Sequence, residues 1–322
     1  MTRRPWAALA GVLLLAAGAM AWVVLSADDD RDTPPSNTEP EHALTLVVVQ
    51  TDAASFGAVV GSTGGAQGAL ALPTEIQVTI PGQGDATLGD ALGLPPRQAA
   101  TTVANVLGVW VDHHVVFDEE RLGAIVDGAG GITVGSDTRS GREVLSMLED
   151  AGAGAASAFS LVLSGLLADV EWNPTALAES DSASSVAEVL EAARGANVSS
   201  IPSVQAAEGI FISEPDAVRQ SIVDAFGGPD REVVRVIMLN GSGLPGVGEL
   251  VAERIVPGGF RIVVSENAAN FDHEETLVVV GSADDVGLGE RVRDLLGTGS
   301  VNVSLSSGIA PVTVVVGKDF TG

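Results

Sequence analysis

The stretch that decides the fold of the last third of the chain is residues 233–255, VVRVIMLNGSGLPGVGELVAERI. Its first seven residues are mostly β-branched and apolar, and they have the length of a strand. Residues 240–246, NGSGLPG, form a glycine-rich loop, and the apolar pattern of Val247–Ile255 predicts a helix. The stretch therefore predicts a strand, a tight turn and a helix that packs back on the strand.

The residues that follow repeat this alternation. We predict strands at residues 260–264 and 276–280, a helix at 283–296, and two closing strands at 301–305 and 312–316. The order β-α-β-β-α-β with one extra strand predicts a small split-βαβ sandwich, in which two helices cover one sheet. Gly227-Gly228-Pro229-Asp230 marks a domain boundary before it.

The preceding region, residues 44–226, also alternates strands and helices. The β-branched run of residues 44–50, LTLVVVQ, predicts a strand, and residues 74–80 predict another that stops at Pro81-Gly82. Residues 97–107 and 183–193 carry apolar side chains at helical spacing. The chain is thus expected to be an α/β protein with two domains, at residues 44–226 and 233–320.

The N-terminus predicts a membrane anchor. Residues 7–25 are nineteen uncharged residues, which as a helix span roughly 28 Å, about the thickness of a bilayer core. Arg3 and Arg4 precede them and predict a cytoplasmic N-terminus, with the bulk of the chain outside the cytoplasm. The alternative is a cleaved signal peptide that ends at Leu25-Ser26-Ala27. Residues 26–43 are polar and contain prolines, which predicts a flexible linker.

Composition excludes several functional classes. The 322 residues carry 42 acids against 16 bases, a formal charge of −26, whereas binding to nucleic-acid phosphates requires clustered Lys and Arg. There is no cysteine, so the chain has no disulfide framework, thiolate nucleophile or cysteine zinc site. We therefore expect no nucleic-acid partner.

Residues 233–320 contain a series of landmarks in a fixed order: Leu239-Asn240-Gly241-Ser242-Gly243, Gly259-Phe260-Arg261-Ile262-Val263, Asn267-Ala268, Glu275-Thr276-Leu277-Val278 and Val314-Val315-Val316-Gly317-Lys318-Asp319. With these landmarks the segment resembles the C-terminal domain of LytR-type cell-envelope proteins.

Residues 44–226 contain a second series of landmarks: Leu72-Pro73, Val78-Thr79-Ile80-Pro81-Gly82, Val106-Leu107-Gly108-Val109, Val111-Asp112-His113-His114 and residues 126–134, VDGAGGITV. In their order they resemble a LytR-CpsA-Psr domain. The resemblance implies a membrane-anchored, extracytoplasmic protein whose domain has an α/β/α fold. Active members of this family transfer lipid-pyrophosphate-linked glycopolymers onto peptidoglycan with the assistance of Mg²⁺.

That chemistry requires arginine forks on phosphate oxygens and carboxylates on the metal. The family has an Arg-Asp pair after the proline that ends a strand, but here Pro73 is followed by Thr74 and Glu75. An upstream Asp-x-Arg element is reduced to Asp52. Three further basic positions of the family fall at or near Thr87, Glu149 and residues 155–167, none of which is basic. We therefore expect the domain to be non-catalytic.

Asp52 and Glu75 remain the candidates for catalytic or Mg²⁺-binding residues; otherwise they are ordinary surface acids. Arg139 and Arg142 are candidate substitutes for the missing bases, although a solvated position is the simpler reading. We interpret His113-His114 as the start of a core strand. The loop at residues 240–246 lacks the Gly-Lys-Ser ending of a phosphate loop, so we interpret it as a structural turn.

The sequence therefore predicts a membrane-anchored, extracytoplasmic cell-envelope protein without a resident cofactor. It would bind or scaffold cell-wall polymer or envelope-biosynthesis proteins during glycopolymer assembly. The alternative is an active phosphotransferase that uses Mg²⁺ and attaches lipid-pyrophosphate-linked glycopolymer to peptidoglycan.

Overall fold

The computed structural model describes residues 43–63, 66–177, 182–228, 232–304 and 308–322. The predicted membrane segment at residues 7–25 lies outside these ranges, as does the predicted linker up to residue 42. In the described ranges, no helix combines the length and the apolar character needed to cross a membrane. The described residues belong to one compact unit. We use first domain and second domain as names for its parts at residues 44–226 and 233–320, which contain the first and the second sheet.

The first sheet has five strands in the order β6-β1-β2-β3-β9. Strand β2 is antiparallel to both β1 and β3, whereas β6 is parallel to β1 and β9 is parallel to β3. The strands are β1 (Ala43–Gln50), β2 (Ser55–Ser62), β3 (Gly68–Leu72), β6 (His113–Phe117) and β9 (Val198–Ser200).

This sheet is covered on both faces, as the residues of β1 show. Leu46 and Val48 belong to one buried cluster, and Val47 and Val49 belong to another. Successive side chains of a strand point to opposite faces, so an unbroken apolar run such as LTLVVV requires helices on both sides. The three-layer α/β/α arrangement expected for residues 44–226 is observed.

Seven helices accompany this sheet in the described residues. One face is covered by α1 (Leu88–Leu92), α2 (Pro96–Leu107) and α7 (Pro215–Phe226). The other face is covered by α3 (Glu119–Gly128), α4 (Gly141–Glu149), α5 (Ala155–Asp169) and α6 (Ala183–Ala192). Three small two-stranded ladders extend the domain: β4 (Gln77–Ile80) with β5 (Gly84–Thr87), β7 (Ile132–Val134) with β8 (Asp137–Arg139), and β10 (Val204–Ala207) with β11 (Ile210–Ile212).

The second sheet has the order β13-β12-β16-β14-β15. Its strands and helices, in chain order, are β12 (Val234–Asn240), α8 (Val247–Ile255), β13 (Phe260–Asn267), β14 (Leu277–Val280), α9 (Val286–Leu296), β15 (Ser300–Val303) and β16 (Val312–Val316). The predicted order of elements is confirmed. The prediction of a split-βαβ topology is wrong. Each helix joins two neighbouring parallel strands, β12 with β13 and β14 with β15, and β16 lies between these two pairs.

The central position of β16 in the sheet has a simple physical cause. The local pattern of apolar residues identifies a strand, but its neighbours are chosen by long-range packing. Val312, Val314 and Val316 are fully buried, and a strand with such an apolar face gains most from the middle of the sheet. Strand β16 therefore pairs in parallel with β12 and in antiparallel with β14.

The carboxylate of Asp319, which follows the last strand, connects residues at one end of the second sheet by hydrogen bonds. Its Oδ1 accepts hydrogen bonds from the Thr276 backbone N–H at 2.8 Å and from the Thr276 hydroxyl at 2.7 Å. Its Oδ2 accepts one from the Thr298 hydroxyl at 2.7 Å. Burial by itself would raise the pKa of this carboxyl, but the hydrogen bonds from both threonines together hold the pKa below its ordinary value.

We expect Asp319→Asn to lower the free energy of unfolding by about 1–2 kcal/mol near neutral pH, since hydrogen bonds to a charged group are lost. Because the folded-state pKa is depressed, this contribution is present above the ordinary pKa of 3.8 and disappears as the pH falls through the lowered value. Urea unfolding of both proteins at about pH 7 and about pH 3 measures the difference. An equal difference at both pH values would contradict the assignment.

The two sheets are joined through β13, the edge strand of the second one. The buried side chain of Asn105, on α2, accepts a hydrogen bond from the Ile262 N–H at 2.7 Å and donates one to the Ile262 carbonyl at 2.9 Å. The hydroxyl of Thr79 donates to the carbonyl of Val263 at 3.2 Å. Arg97 on α2 forms two hydrogen bonds of 2.7 Å with Glu253 on α8. One buried cluster accordingly runs from the first sheet into the second.

Candidate functional site

Strands β1, β3, β6 and β9 all run in the same direction, so their carboxyl ends lie along one edge of the first sheet. We call the segments at residues 51–54, 73–76 and 118–120, which follow β1, β3 and β6, the carboxyl edge; the last of them is the start of α3. This is the side of an α/β sheet where ligands generally bind. The candidate residues Asp52 and Glu75 both lie on it.

Asp52 is exposed and lies in the turn between β1 and β2. Its backbone N–H donates a hydrogen bond to Oε1 of Glu119 at 2.6 Å. An open depression of about 410 Å³ here is lined by Gln50, Thr51, Asp52, Asp118, Glu119 and Glu120. Four of these six side chains are carboxylates and none is basic, so the depression has a negative potential that repels phosphates.

Glu75 is exposed in the connection between β3 and β4. Its Oε1 accepts a hydrogen bond from the Ser203 hydroxyl at 2.9 Å, and the next residue, Ile76, forms a β-bridge with Phe211. Asp52 therefore contacts Glu119, whereas Glu75 contacts a different loop. The two residues share an edge but make separate hydrogen bonds, Asp52 through its backbone and Glu75 through its carboxylate.

A Mg²⁺ ion requires oxygen ligands in near-octahedral geometry, usually with one or two carboxylates beside water and phosphate. In the part of the chain that the structure describes, no group of three or more His, Asp or Glu side chains is arranged to hold a metal ion. The four carboxylates that line the depression at Asp52 and the separate carboxylate of Glu75 therefore form no such group.

The positions at which the family resemblance implies bases have structural roles here. The Thr87 hydroxyl and backbone contact the Asp90 carboxylate, and this capping box begins α1. Glu149 is the last residue of α4. Helix α5 buries Phe159 and Leu163 in the core of the first domain. None of these positions provides a cation for a phosphate.

The arginines considered as substitutes lie farther along the chain. Arg139 is in β8, where its guanidinium is 3.5 Å from the Asp137 carboxylate. Its Nε atom is buried and has no hydrogen-bond partner in the described ranges. Arg142 lies in the first turn of α4. These positions give no contact between either arginine and Asp52 or Glu75.

Two other motifs have structural explanations, as expected. His113 and His114 pair with Thr45 and Leu46 at the start of β6. In the glycine-rich loop, Oδ1 of Asn240 accepts hydrogen bonds of 3.0–3.1 Å from the N–H and hydroxyl of Ser242 and from the N–H of Gly243. The N–H groups of Ser242 and Gly243 are therefore bonded within the loop and not directed at an anion.

A second cavity was not anticipated from the sequence. It has a volume of about 500 Å³ and lies where the C-terminal end of α2, helix α7 and strands β12 and β13 meet. We call it the interdomain cavity. Three arginines line it, Arg219, Arg235 and Arg261. Burial lowers the pKa of the Arg261 guanidinium. The available signal was a single arginine inside each of two apolar strand runs, VVRVIM and GFRIVV.

Several solved structures match somewhat more than half of this chain. An enzyme of the LytR-Csp2A-Psr type from Actinomyces oris is 16% identical, with a TM-score of 0.48, over 58% of this chain and 90% of its own. TagT from B. subtilis is 16% identical, with a TM-score of 0.46, over 57% and 91%. TagT with bound octaprenyl pyrophosphate lipid is 15% identical, with a TM-score of 0.44, over 57% and 90%. No curated protein has a sequence that matches the chain significantly.

The second domain gives the sequence match. Residues 233–320 match the family model for the LytR C-terminal domain, described as LytR cell envelope-related transcriptional attenuator. The match begins one residue before β12 and ends after Asp319, so it contains the whole second sheet and its two helices. The match confirms the resemblance to the LytR C-terminal domain that the sequence landmarks predict for residues 233–320.

Proposed function

We propose that this chain is a non-catalytic, extracytoplasmic cell-envelope protein that binds or scaffolds components of cell-wall glycopolymer assembly. In this proposal residues 7–25 anchor it in the membrane and residues 26–43 are the linker. Residues 44–226 form a LytR-CpsA-Psr-like domain that has lost its chemistry, and residues 233–320 form the intact C-terminal domain. Its partners are cell-wall polymer or envelope-biosynthesis proteins.

The observation that carries the proposal is the charge of the carboxyl edge. A group-transfer site for a pyrophosphate must neutralise negative charge as the bond breaks. The depression beside Asp52 instead brings four carboxylates together with no base in its lining. Each charge-assisted hydrogen bond that is missing is worth roughly 1.5–3 kcal/mol, so the absence of several removes most of the transition-state stabilisation.

A second observation supports a binding role. The C-terminal domain is held to the first domain by a buried amide pair at Asn105 and by the bidentate Arg97–Glu253 contact. The two domains therefore present one continuous surface to a partner. A surface of this kind suits scaffolding, which requires a fixed relative position of its contacts.

We expect the purified full-length chain to cleave a polyprenyl-pyrophosphate-linked substrate no faster than a protein-free blank, with Mg²⁺ or with a chelator. An active LytR-CpsA-Psr enzyme under the same conditions is the positive control, and a cooperative thermal transition shows that the chain is folded. Magnesium-dependent turnover that is lost in Glu75→Ala or Asp52→Ala would establish the alternative, an active phosphotransferase. In that case Mg²⁺ would be its cofactor.

The binding role has its own test. The full-length chain should co-sediment with purified cell walls or retain an envelope-biosynthesis protein in a crosslinking experiment on intact cells. Absence of both, in a chain that is present in the envelope fraction, would contradict the proposal. Recovery of the chain in a carbonate-washed membrane fraction tests the anchor, and its loss on deletion of residues 7–25 is the matched control.

A further inference from the structure

The walls of the interdomain cavity are mostly apolar. Val106 and Ile222 come from helices α2 and α7 of the first domain, and Val263 comes from β13 of the second. Its volume of about 500 Å³ lies within the range of roughly 300–1,000 Å³ that is typical of small-molecule sites. Since both domains contribute walls, the cavity exists only in the assembled chain.

Two of its arginines are a register pair. Arg235 on β12 lies directly opposite Arg261 on β13 in a parallel ladder, so both side chains are on one face of the sheet. Like charges at paired positions repel each other. Among the described residues, neither guanidinium forms a salt bridge with a carboxylate, although Glu232 is also part of the lining.

The cavity lining has more basic than acidic side chains, whereas the chain as a whole is strongly acidic. The lining contains three arginines and two acids, Asp216 and Glu232, in a protein whose formal charge is −26. Asp216 is 3.2 Å from Arg219, so one acid is already engaged. Arginine stays protonated even where burial lowers its pKa, as it does at Arg261. Arg235 is exposed, whereas Arg261 is partly buried. An unpaired, partly buried cation such as Arg261 is unfavourable until an anion joins it.

We propose that the interdomain cavity binds a small amphiphilic oxyanion, a carboxylate or phosphate group carried on a compact apolar body. The oxyanion lies between Arg235 and Arg261, whose guanidinium forks suit both groups. The apolar body lies along Val106, Ile222 and Val263. This site is separate from the carboxyl edge on which the proposed function rests.

The first test uses 1-naphthyl phosphate as the probe, titrated calorimetrically into the full-length chain in lipid nanodiscs, with empty nanodiscs subtracted. We expect saturable binding, with inorganic phosphate and 1-naphthol each at least about tenfold weaker, because each lacks one half of the interaction. If inorganic phosphate bound as tightly as 1-naphthyl phosphate, the proposed binding of an apolar body would be overturned. If 1-naphthol bound as tightly, the proposed binding of an oxyanion would be overturned. Titration of 1-naphthoate, which carries a carboxylate in place of the phosphate, measures which oxyanion binds more tightly.

Arg235→Gln and Arg261→Gln should each weaken binding of 1-naphthyl phosphate by about tenfold or more, as expected for a lost charged hydrogen bond. The matched control is Arg254→Gln, an exposed arginine in the last turn of α8 that is not part of the cavity lining. It should change the affinity by less than about twofold. No saturable binding, or equal affinity in all three variants, would overturn the proposal.

A thermal measurement separates ligand binding from a structural role. Arg261→Met keeps the apolar stem and removes the charge, so the unliganded variant should have a Tm equal to or above that of the wild type. The rise in Tm that 1-naphthyl phosphate causes in the wild type should be absent from the variant. A lower Tm with an unchanged ligand-induced rise would show that Arg261 is structural. Turnover at the carboxyl edge would overturn the proposed function but not this site.

Discussion

Asn105→Leu is expected to lower the free energy of unfolding by about 3 kcal/mol or more. The Asn105 side chain is only 1% exposed and contacts Ile262 through both its oxygen and its nitrogen. Its amide thereby forms the hydrogen bonds with edge strand β13 that a neighbouring strand would otherwise form. Leucine has a similar volume but cannot form hydrogen bonds, so the N–H and carbonyl of Ile262 would be buried without partners. Each such group costs about 1–3 kcal/mol.

Urea unfolding of the full-length chain measures this effect, and Asn302→Leu is the matched control. Asn302 is exposed on β15, and its amide donates a hydrogen bond of 3.4 Å to the Ser300 hydroxyl in the same strand. We expect this control to change stability by less than about 0.5 kcal/mol. If Asn105→Leu costs under about 1 kcal/mol, water must satisfy the backbone of Ile262 and the domain junction is wetter than described.

The second large effect is expected for Gly248→Ala, about 2–3 kcal/mol of destabilisation. Gly248 lies in the first turn of α8, where the helix meets the turn between β4 and β5. A Cβ atom at this position would contact the Gly82 backbone nitrogen, and it would lie 2.5 Å from Gly82 Cα and 2.6 Å from the terminal methyl of Met238. Overpacking of this kind typically costs about 1–3 kcal/mol.

The Gly82 backbone cannot move away easily, because its N–H donates a hydrogen bond to the Ser265 hydroxyl at 2.7 Å. The matched control is Gly287→Ala, in the first turn of α9, where a Cβ atom would have nothing within 4 Å. Alanine there should leave stability unchanged or raise it by up to about 1 kcal/mol. Similar thermal transitions for both variants would show that α8 can shift relative to the first domain.

Both effects concern the junction between the domains. A stable junction holds Arg235 and Arg261 of the second domain opposite Val106 and Ile222 of the first. We therefore expect Gly248→Ala to weaken ligand binding in the interdomain cavity although Gly248 does not line it.

Much of the local structure could be predicted from the sequence. The helix at Val247–Ile255 and the strand at Val312–Val316 occur with the predicted limits, and the strand predicted at residues 44–50 occurs as Ala43–Gln50. These elements depend on runs of β-branched residues, on helical spacing and on glycine turns, all of which act over a few residues. The landmarks of the LytR C-terminal domain are local in the same sense.

Some elements were missed for different reasons. Strand β9 has three residues, which is too short to show a period. Helix α7 had usable signals, since Pro215 is in its first turn, Val218, Ile222 and Phe226 are buried at a spacing of four, and Gly227 ends it in the left-handed conformation. The sequence prediction did not include this helix, which forms one wall of the interdomain cavity.

The sequence by itself determined the α/β class, the succession of elements in residues 233–320, the LytR resemblance and the lack of basic residues at positions where that resemblance implies them. Only the tertiary structure decided the central place of β16, the pairing of Asn105 with a backbone 157 residues away, and the juxtaposition of Arg235 with Arg261. Helices, strands and turns depend mainly on interactions between residues that are close in the sequence, so they can be predicted from it. The partners of an edge strand or of an isolated arginine depend on how two complete domains pack, and that energy is shared among residues far apart in the chain.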